Sequence, residues 1–389
     1  MGKLGVIVAN TGSPDAPEPE AVKRYLREFL SDPRICPMNP RVWKIILNRF
    51  ILPRRSVASA EKYRRIWTPQ GSPLKVTMEE LARKLEAVLV AEAGTEAKSG
   101  VGTPVLAPGA DAADIPPSGE FETDAASTGS PAAPGLLEDA APDEVPAVRC
   151  AMSYGSPSLE TSLAELRQAG CDRLAVIPLY PQSAFSTTGA VLDGTKRALG
   201  SLDWNPPLTE IAGYDGNSLY LAAIADSVRA SGFDATAGDR LLFAFHSIPL
   251  ADIAAGDTYG EQARATAEAV ARKLRLEPGE WAIGFQCRFD KSRRWLGPFT
   301  KEVLERLGES LLGGQRPSGG RLFAVAPNFA VDCLETLYDI EVELRETWQA
   351  VARAARAPEG SEAVRLHYIP CLNDSDAQVR LLCSLVAEA

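Results

Sequence analysis

The chain has 389 residues, of which 45% are hydrophobic, and a formal net charge of −10. This length accommodates two ordinary domains, and the apolar fraction is typical of a soluble globular protein. Residues 92–148 contain eleven acids and one lysine, so the rest of the chain is formally neutral, which argues against nucleic acid as a partner.

Short apolar runs alternate with amphipathic helical stretches along the chain. Strands are predicted at residues 5–8, 149–153, 173–178, 240–245, 281–285, 321–326 and 364–368. Helices are predicted at residues 17–30, 77–91, 158–168, 217–231, 259–274, 300–307 and 332–355. This alternation predicts an α/β protein with parallel sheets covered by helices, divided into two similar domains, residues 1–194 and 195–389.

Residues 93–146 interrupt the alternation. They are rich in Ala, Gly, Pro, Ser, Thr, Asp and Glu and show neither a helical nor a strand period. Such a segment cannot bury enough apolar surface to offset its ordering entropy. We expect a mobile acidic insertion in the first domain, most simply a solvated spacer.

The sequence carries no sign of membrane insertion or export. It has no run of about eighteen apolar residues, which a membrane-spanning helix needs, and its N-terminus lacks a signal-peptide pattern. The seven cysteines are scattered without a Cys-x-x-Cys pair. This disfavours zinc ribbons, thioredoxin-like redox sites and disulfide scaffolds, and favours free thiols in a reducing cytosol.

One histidine directly follows a predicted strand. His246 comes after the apolar run 241–245, at the mouth of a sheet, where ligands bind in open α/β folds. With a pKa near neutrality, its imidazole can accept a proton or bind a metal; the alternative is a strand-end residue bonded to backbone. His367 lies mid-strand, where strand alternation explains it, and two histidines exclude an imidazole-only metal cage.

Four carboxylates share one face of the helix predicted over residues 332–355. Glu335, Asp339, Glu343 and Glu346 are separated by four, four and three residues, which places them in a stripe along one side of an α-helix. Such like charges repel unless a cation lies among them. The stripe is therefore either a solvated face or a path for a divalent cation in one direction and protons in the other.

A hydroxyl-rich segment, residues 179–189, follows the predicted strand 173–178 and includes Tyr180 and Thr187. Hydroxyls and backbone amides near a helix start suit carboxylates or phosphates. No glycine-rich fingerprint of the dinucleotide or P-loop type occurs in the chain. Nucleotide binding is therefore disfavoured.

Residues 41–55 are apolar with basic flanks. Two interpretations fit this pattern equally well. The segment is either a core helix or a lip that dips into a membrane surface or covers an apolar ligand.

An ordered series of motifs resembles the ferrochelatases, which insert ferrous iron into a porphyrin in haem synthesis. The matching segments extend over nearly the whole chain outside the acidic insertion: residues 8–14, 29–33, 63–66, 71–74, 180–182, 186–189, 243–249, 256–259, 285–289, 295–298, 332–339 and 368–373. No single segment is decisive, but the ordered series is highly specific.

The resemblance implies two Rossmann-like domains that bind no nucleotide and enclose a porphyrin cleft between them. It assigns catalysis to His246 and Glu335, which would handle the metal and the protons, with Asp339 and Glu343 continuing the metal-binding face. The residues that it places on the porphyrin are Asn10, Thr11, Arg64, Arg65, Tyr180, Thr187 and Trp295. The two arginines would meet propionates or serve a structural role.

Two positions depart from the family pattern. Cys333 stands where many relatives carry a second histidine, and Ser153 stands where some carry arginine. Some relatives hold a [2Fe–2S] cluster on C-terminal cysteines, but only Cys371 and Cys383 lie near this C-terminus. We therefore expect no cluster and no cofactor beyond the substrate iron.

The resemblance predicts a cytoplasmic enzyme whose partners are a porphyrin and ferrous iron, with peripheral membrane contact through residues 41–55 left open. Protoporphyrin IX is the expected substrate, and coproporphyrin III is the alternative. A cobalt or nickel chelatase of the same fold and a non-catalytic porphyrin or haem carrier are the rival interpretations.

Overall fold

Two four-stranded sheets form the framework of the computed structural model, which describes residues 2–99, 145–288, 292–312, 320–357 and 365–388. Their strand orders are β2-β1-β3-β4 and β6-β5-β7-β8, and every pairing between these strands is parallel. The strands are β1 (Leu4–Asn10), β2 (Ala147–Met152), β3 (Arg173–Pro178), β4 (Leu208–Glu210), β5 (Arg240–His246), β6 (Trp281–Gln286), β7 (Leu322–Val325) and β8 (Leu366–Ile369). The predicted α/β class with two parallel sheets is confirmed.

Helices connect the strands. They are α1 (Pro19–Ser31), α2 (Pro40–Ile46), α3 (Leu52–Ile66), α4 (Pro73–Ser99), α5 (Leu159–Gln168), α6 (Thr188–Ser201), α7 (Ser218–Ala230), α8 (Leu250–Ala254), α9 (Tyr259–Leu274), α10 (Thr300–Leu312), α11 (Leu334–Leu337), α12 (Arg345–Ala354) and α13 (Asp376–Ala387). A π-helical segment, Leu47–Ile51, joins α2 to α3, and a second one, Asp339–Leu344, precedes α12. A short 3₁₀ turn, Ala235–Ala237, precedes β5.

The central strands are buried on both faces, as parallel strands between helical layers must be. In β5, the five residues after Arg240 are fully buried, and β1 buries Val6, Ile7 and Val8 equally well. This double burial explains why the sequence shows continuous apolar runs here rather than alternation.

The helix predicted at residues 332–355 is instead three consecutive elements. α11 is short, the π segment Asp339–Leu344 follows, and α12 completes the stretch. The prediction of one regular α-helix was therefore wrong, and the carboxylate stripe crosses a wider π turn.

The boundary predicted between residues 194 and 195 falls inside α6, and β4, beyond it, still pairs with β3 in the first sheet. Most of the predicted acidic insertion lies outside the described residues, because the structure describes α4 up to Ser99 and resumes at residue 145.

The loop after β3 ties the first sheet to the second. The Asp257 carboxylate accepts the backbone N–H groups of Phe185, at 2.7 Å, and of Tyr259, at 2.9 Å. The Gln182 side chain donates to the Thr266 hydroxyl of α9 at 2.9 Å. These buried bonds fix how the carboxyl ends of the two sheets face each other.

Candidate active site

A slot of about 400 Å³ lies beyond the carboxyl ends of both sheets, within the size range of small-molecule sites. It brings together most of the residues singled out in the sequence, although they are far apart along the chain. The predicted site residues that line it are Asn10, Thr11, Tyr180, Thr187, His246, Trp295, Glu335 and Asp339.

His246 ends β5 and lines the slot. Its ring Nδ1 lies 2.7 Å from the Ser247 carbonyl. A carbonyl only accepts, so Nδ1 carries the hydrogen of this bond, and Nε2 is the ring nitrogen left for a substrate. The Tyr259 hydroxyl donates to the His246 carbonyl at 2.8 Å and fixes the strand end.

The surroundings of His246 raise its pKa to about 9. Burial is the largest single influence and lowers this pKa, but the interactions of the ring with Cys287, Glu335 and the Ser247 carbonyl together outweigh it. The expected pKa near neutrality was therefore wrong. The resting imidazole is protonated at neutral pH and must release its proton before it can act as a base or a metal ligand.

Glu335 lies in α11, which begins at Leu334, after the loop that follows the end of β7 at Val325. The helix start is fixed by a capping box, in which the Cys333 backbone N–H donates to the Thr336 hydroxyl at 3.0 Å. The Gln286 side chain donates to the Glu335 carbonyl at 3.0 Å. Glu335 is therefore held against the strand that adjoins His246.

Asp339 lines the slot at the start of the π segment, one turn beyond Glu335. Burial raises the pKa of its carboxyl to about 6, against the opposing effect of the Lys62 ammonium. Glu343 does not line the slot; it lines an open groove on the outer side, between α10 and α12.

The predicted metal ligands do not form a preformed cage. Among the described residues, no group of three or more His, Cys, Asp or Glu side chains is arranged to hold a metal ion. His246, Glu335 and Asp339 reach the slot, whereas Glu343 faces outward. The carboxylates of Glu335, Asp339 and Glu343 follow one another from the slot to the outer groove and do not converge on one metal position.

The first sheet supplies the opposite wall. The Tyr180 hydroxyl bonds with the Thr11 hydroxyl and donates to the Asn10 side chain at 3.2 Å. Burial raises the pKa of Tyr180 and that of Tyr63 well above the ordinary phenol value. These phenols stay neutral and give their part of the slot an aromatic surface.

The two predicted propionate-binding arginines lie elsewhere. Arg64 is exposed and does not line the slot, and Arg65 lies 4.0 Å from Glu346, on the outer surface. The slot has other basic residues, which sequence reasoning missed: Arg34, Arg55, Lys62 and Arg293. No local sequence signal marks them, because distant segments bring them together.

Cys287 lies in the matching segment 285–289, and the sequence predicted no role for it. In the structure it is a direct neighbour of the His246 imidazole. It follows β6 with a left-handed φ of 64°, an uncommon conformation for a residue with a side chain. It lines the slot and hydrogen-bonds to His246.

The two departures from the family pattern differ in position. Cys333 is buried at the slot, and burial raises the pKa of its thiol well above the ordinary value, so the thiol stays protonated. Ser153 does not line the slot; its buried hydroxyl has no hydrogen-bond partner among the described residues.

Residues 41–55 form a surface lip instead of a core helix. Leu47 and Leu52 point inward, but Ile45 and Phe50 are 67% and 59% exposed. The lip continues into α3, whose inner face lines the slot. None of the helices that the structure describes is both long and apolar enough to cross a bilayer.

Comparison with known proteins identifies the family. The family model described as ferrochelatase matches residues 3–112 and 135–389. The chain is 37% identical to the ferrochelatase of Thioalkalivibrio sulfidiphilus, over 98% of this chain and 86% of that relative. It is 36% identical to the ferrochelatase of Nitrosococcus oceani, over 100% of this chain and 87% of that relative.

A solved structure of SirB from Bacillus subtilis aligns with a TM-score of 0.42 and 13% identity, over 63% of this chain and 82% of that chain. A likeness this distant carries no argument about the site. The match to the family model and the full-length relatives are decisive: the chain belongs to the ferrochelatase family.

Proposed function

We propose that the protein inserts ferrous iron into a porphyrin bound in the slot, with release of two protons and formation of haem. The observation that carries this proposal is the placement of His246 and Glu335 on one slot between the two sheets. Membership of the ferrochelatase family supports the same chemistry.

The slot suits a flat apolar ring with carboxylate substituents. Trp295, Phe29 and Tyr180 supply aromatic surface, as sites for apolar ligands generally do. Arg55 and Arg293 lie on the same lining and offer positive charge to propionates. The Arg293 guanidinium lies over the face of the Trp295 ring, 4.8 Å from its centroid, in a cation–π contact.

His246 and Glu335 divide the work of insertion. The approach of a divalent cation to Glu335 disfavours the imidazolium of His246, which then loses its proton. The neutral Nε2 can take a pyrrole proton, and general-base help of this kind contributes about 10²–10⁴-fold. The Glu335 carboxylate offers oxygen ligands to the cation or accepts the second proton.

Distortion of the macrocycle exposes the nitrogen lone pairs to the metal. Binding energy from the ring edges and propionates can supply about 1–5 kcal/mol of such strain. The rigid links between the sheets, through Asp257 and Gln182, keep the slot walls from relaxing around a flat ring.

We also propose that the lip contacts a membrane surface. Its exposed apolar residues lie among Arg41, Lys44 and Arg49, the combination that anionic lipid surfaces attract. Because the lip adjoins the slot wall, an apolar porphyrin could pass between bilayer and slot with little exposure to water.

Substrate choice can be tested with purified protein and no detergent. Anaerobic Fe²⁺ insertion is followed by absorbance with protoporphyrin IX and with coproporphyrin III, and Co²⁺ insertion with sirohydrochlorin. We expect metallation of protoporphyrin IX. If the protein metallates only coproporphyrin III, the proposed substrate is wrong. If it inserts only cobalt, into sirohydrochlorin, the proposed reaction is wrong. Tight porphyrin binding without metallation would indicate a carrier.

A further inference from the structure

The ammonium of Lys62 occupies the middle of the carboxylate stripe. Its Nζ lies 3.1 Å from an Asp339 oxygen and 2.9 Å from a Glu343 oxygen. It also lies 4.6 Å from the Tyr338 ring centroid. Lys62 comes from α3, 277 residues away from Asp339 in sequence. The Lys62 ammonium therefore occupies the space between Asp339 and Glu343, where the sequence predicted a metal ion.

This position separates two cavities. Lys62 and Asp339 line the slot, while Glu343 lines the outer groove between α10 and α12. That groove has a volume of about 920 Å³ and also presents Glu305 and Glu346. The exposure of the side chains rises outward, from 17% for Asp339 to 49% for Glu343. The Lys62 ammonium thus lies where the acidic surface passes from the groove into the slot.

α3 covers the stripe with a second basic residue. Arg65, one turn after Lys62, lies 4.0 Å from Glu346 and 5.7 Å from the Tyr338 ring centroid. Glu346 and Arg65 are both largely exposed, so water weakens that pair. Lys62 is only 32% exposed and contacts two carboxylates at once, so it is the stronger counter-ion.

We propose that Lys62 is a positioning residue for metal uptake: a resident counter-ion that holds the path between groove and slot closed until an incoming divalent cation displaces it from Asp339 and Glu343. A divalent ion interacts more strongly with the two carboxylates than a single ammonium does. The displaced lysine then limits how tightly the stripe retains the ion, which favours its onward passage to Glu335. The direction of passage rests on the proposed function, whereas the competition does not.

The competition is measured with Mn²⁺ alone, without porphyrin, by electron paramagnetic resonance of the free ion. Lys62→Met removes the charge and keeps an unbranched side chain that is one atom shorter. We expect it to bind Mn²⁺ about tenfold more tightly than wild type, because no ammonium competes with the ion for the two carboxylates. Lys62→Arg should remain near wild type, and Asp339→Asn added to Lys62→Met should cancel the gain.

Lys84→Met is the matched control, because Lys84 also pairs with a carboxylate, Asp374 at 2.6 Å, with similar exposure but outside the site. Lys62→Gln is a second uncharged variant in case Lys62→Met does not fold. Unchanged Mn²⁺ affinity in the folded uncharged variant would overturn the proposal, as would a gain of the same size in Lys84→Met.

Kinetics separate this role from a structural one. With Fe²⁺ and porphyrin, Lys62→Met should lower both KM for iron and kcat, because the ion is held more tightly before insertion. A raised KM with an unchanged Mn²⁺ affinity would show a merely structural lysine. If the wild type inserted no metal at all, the proposed function would fail, but the Mn²⁺ result would still decide whether Lys62 competes with cations.

Discussion

His246 stands opposite Gln286 in the register of β5 and β6, and the Gln286 side chain donates to the Glu335 carbonyl at 3.0 Å. A single buried amide therefore links β6, the neighbour of the strand that ends in the imidazole, to the helix that carries the carboxylate. Together with the capping box at the start of α11, this bond helps to hold the proposed metal ligand beside the proposed proton acceptor.

Gln286→Leu should therefore impair turnover without unfolding the protein. The substitution keeps the size of the side chain but removes the bond to α11, so Glu335 loses its support. We expect kcat to fall by about 10–100-fold, the usual effect of removing a partner that orients a ligand. Steady-state metallation measures this, with thermal melting as the control. An unchanged kcat would show that α11 holds Glu335 without Gln286.

The pKa of His246 should fall when its thiol neighbour is replaced. Cys287→Ala removes the side chain whose interactions help raise this pKa to about 9, so it should move toward its ordinary value of 6.5. The chain has two histidines, so NMR titration resolves them, and His246→Ala assigns the signals. Because insertion needs the neutral imidazole, the acid limb of the rate profile should move to lower pH. An unshifted pH–rate profile would contradict the link between the pKa of His246 and the insertion rate.

Stability should depend on an ion pair with one buried partner, Asp239, at the opposite end of the second sheet. The Asp239 carboxylate is almost fully buried and accepts bonds from the Arg321 side chain at 2.7 Å and backbone at 2.7 Å. Asp239→Ala should cost about 1–3 kcal/mol of unfolding free energy, as the loss of one partner of a buried hydrogen-bonded group does; Arg321 is 31% exposed, so water screens the charge left behind. Urea denaturation measures it; Asp226→Ala, in an exposed pair, should cost at most about 1 kcal/mol.

The Asp239 carboxylate also determines how the free energy of unfolding depends on pH. Burial raises the pKa of Asp239, but the bonds from Arg321 and the backbone amides outweigh it, so the folded pKa lies below 3.8. Its contribution to stability is therefore complete above that value and is lost as the pH falls through the folded pKa. The difference between wild type and Asp239→Ala should narrow only in acid. A difference that narrows at neutral pH would contradict this.

The lip should bind anionic vesicles through its apolar residues. Ile45→Glu combined with Phe50→Glu adds charge where burial in the interface is proposed, so co-sedimentation with phosphatidylglycerol vesicles should be lost. Leu219→Glu changes an exposed apolar residue outside the lip, in α7, and is the matched control. Equal vesicle binding by wild type, the double variant and Leu219→Glu would show that the lip does not contact the membrane.

The predictable part of the site follows from the sheets. His246 and Asn10 each end a central strand, one in the second sheet and one in the first. Ligands bind beyond such carboxyl ends, so strand prediction marks both residues as candidates. The π segment was not predicted, because one turn of π-helix leaves the apolar spacing almost unchanged. Lys62 was missed because its two carboxylates lie far away in sequence. For the same reason, a local motif could not show that Arg65 faces outward.

The central claim is tested most directly by single-turnover metallation. Porphyrin-loaded wild type and porphyrin-loaded His246→Ala are mixed anaerobically with Fe²⁺, and the porphyrin absorbance is followed. The account predicts equal porphyrin binding and an insertion rate lower by about 10²–10⁴-fold in the variant. An undiminished insertion rate in folded, porphyrin-loaded His246→Ala would contradict it.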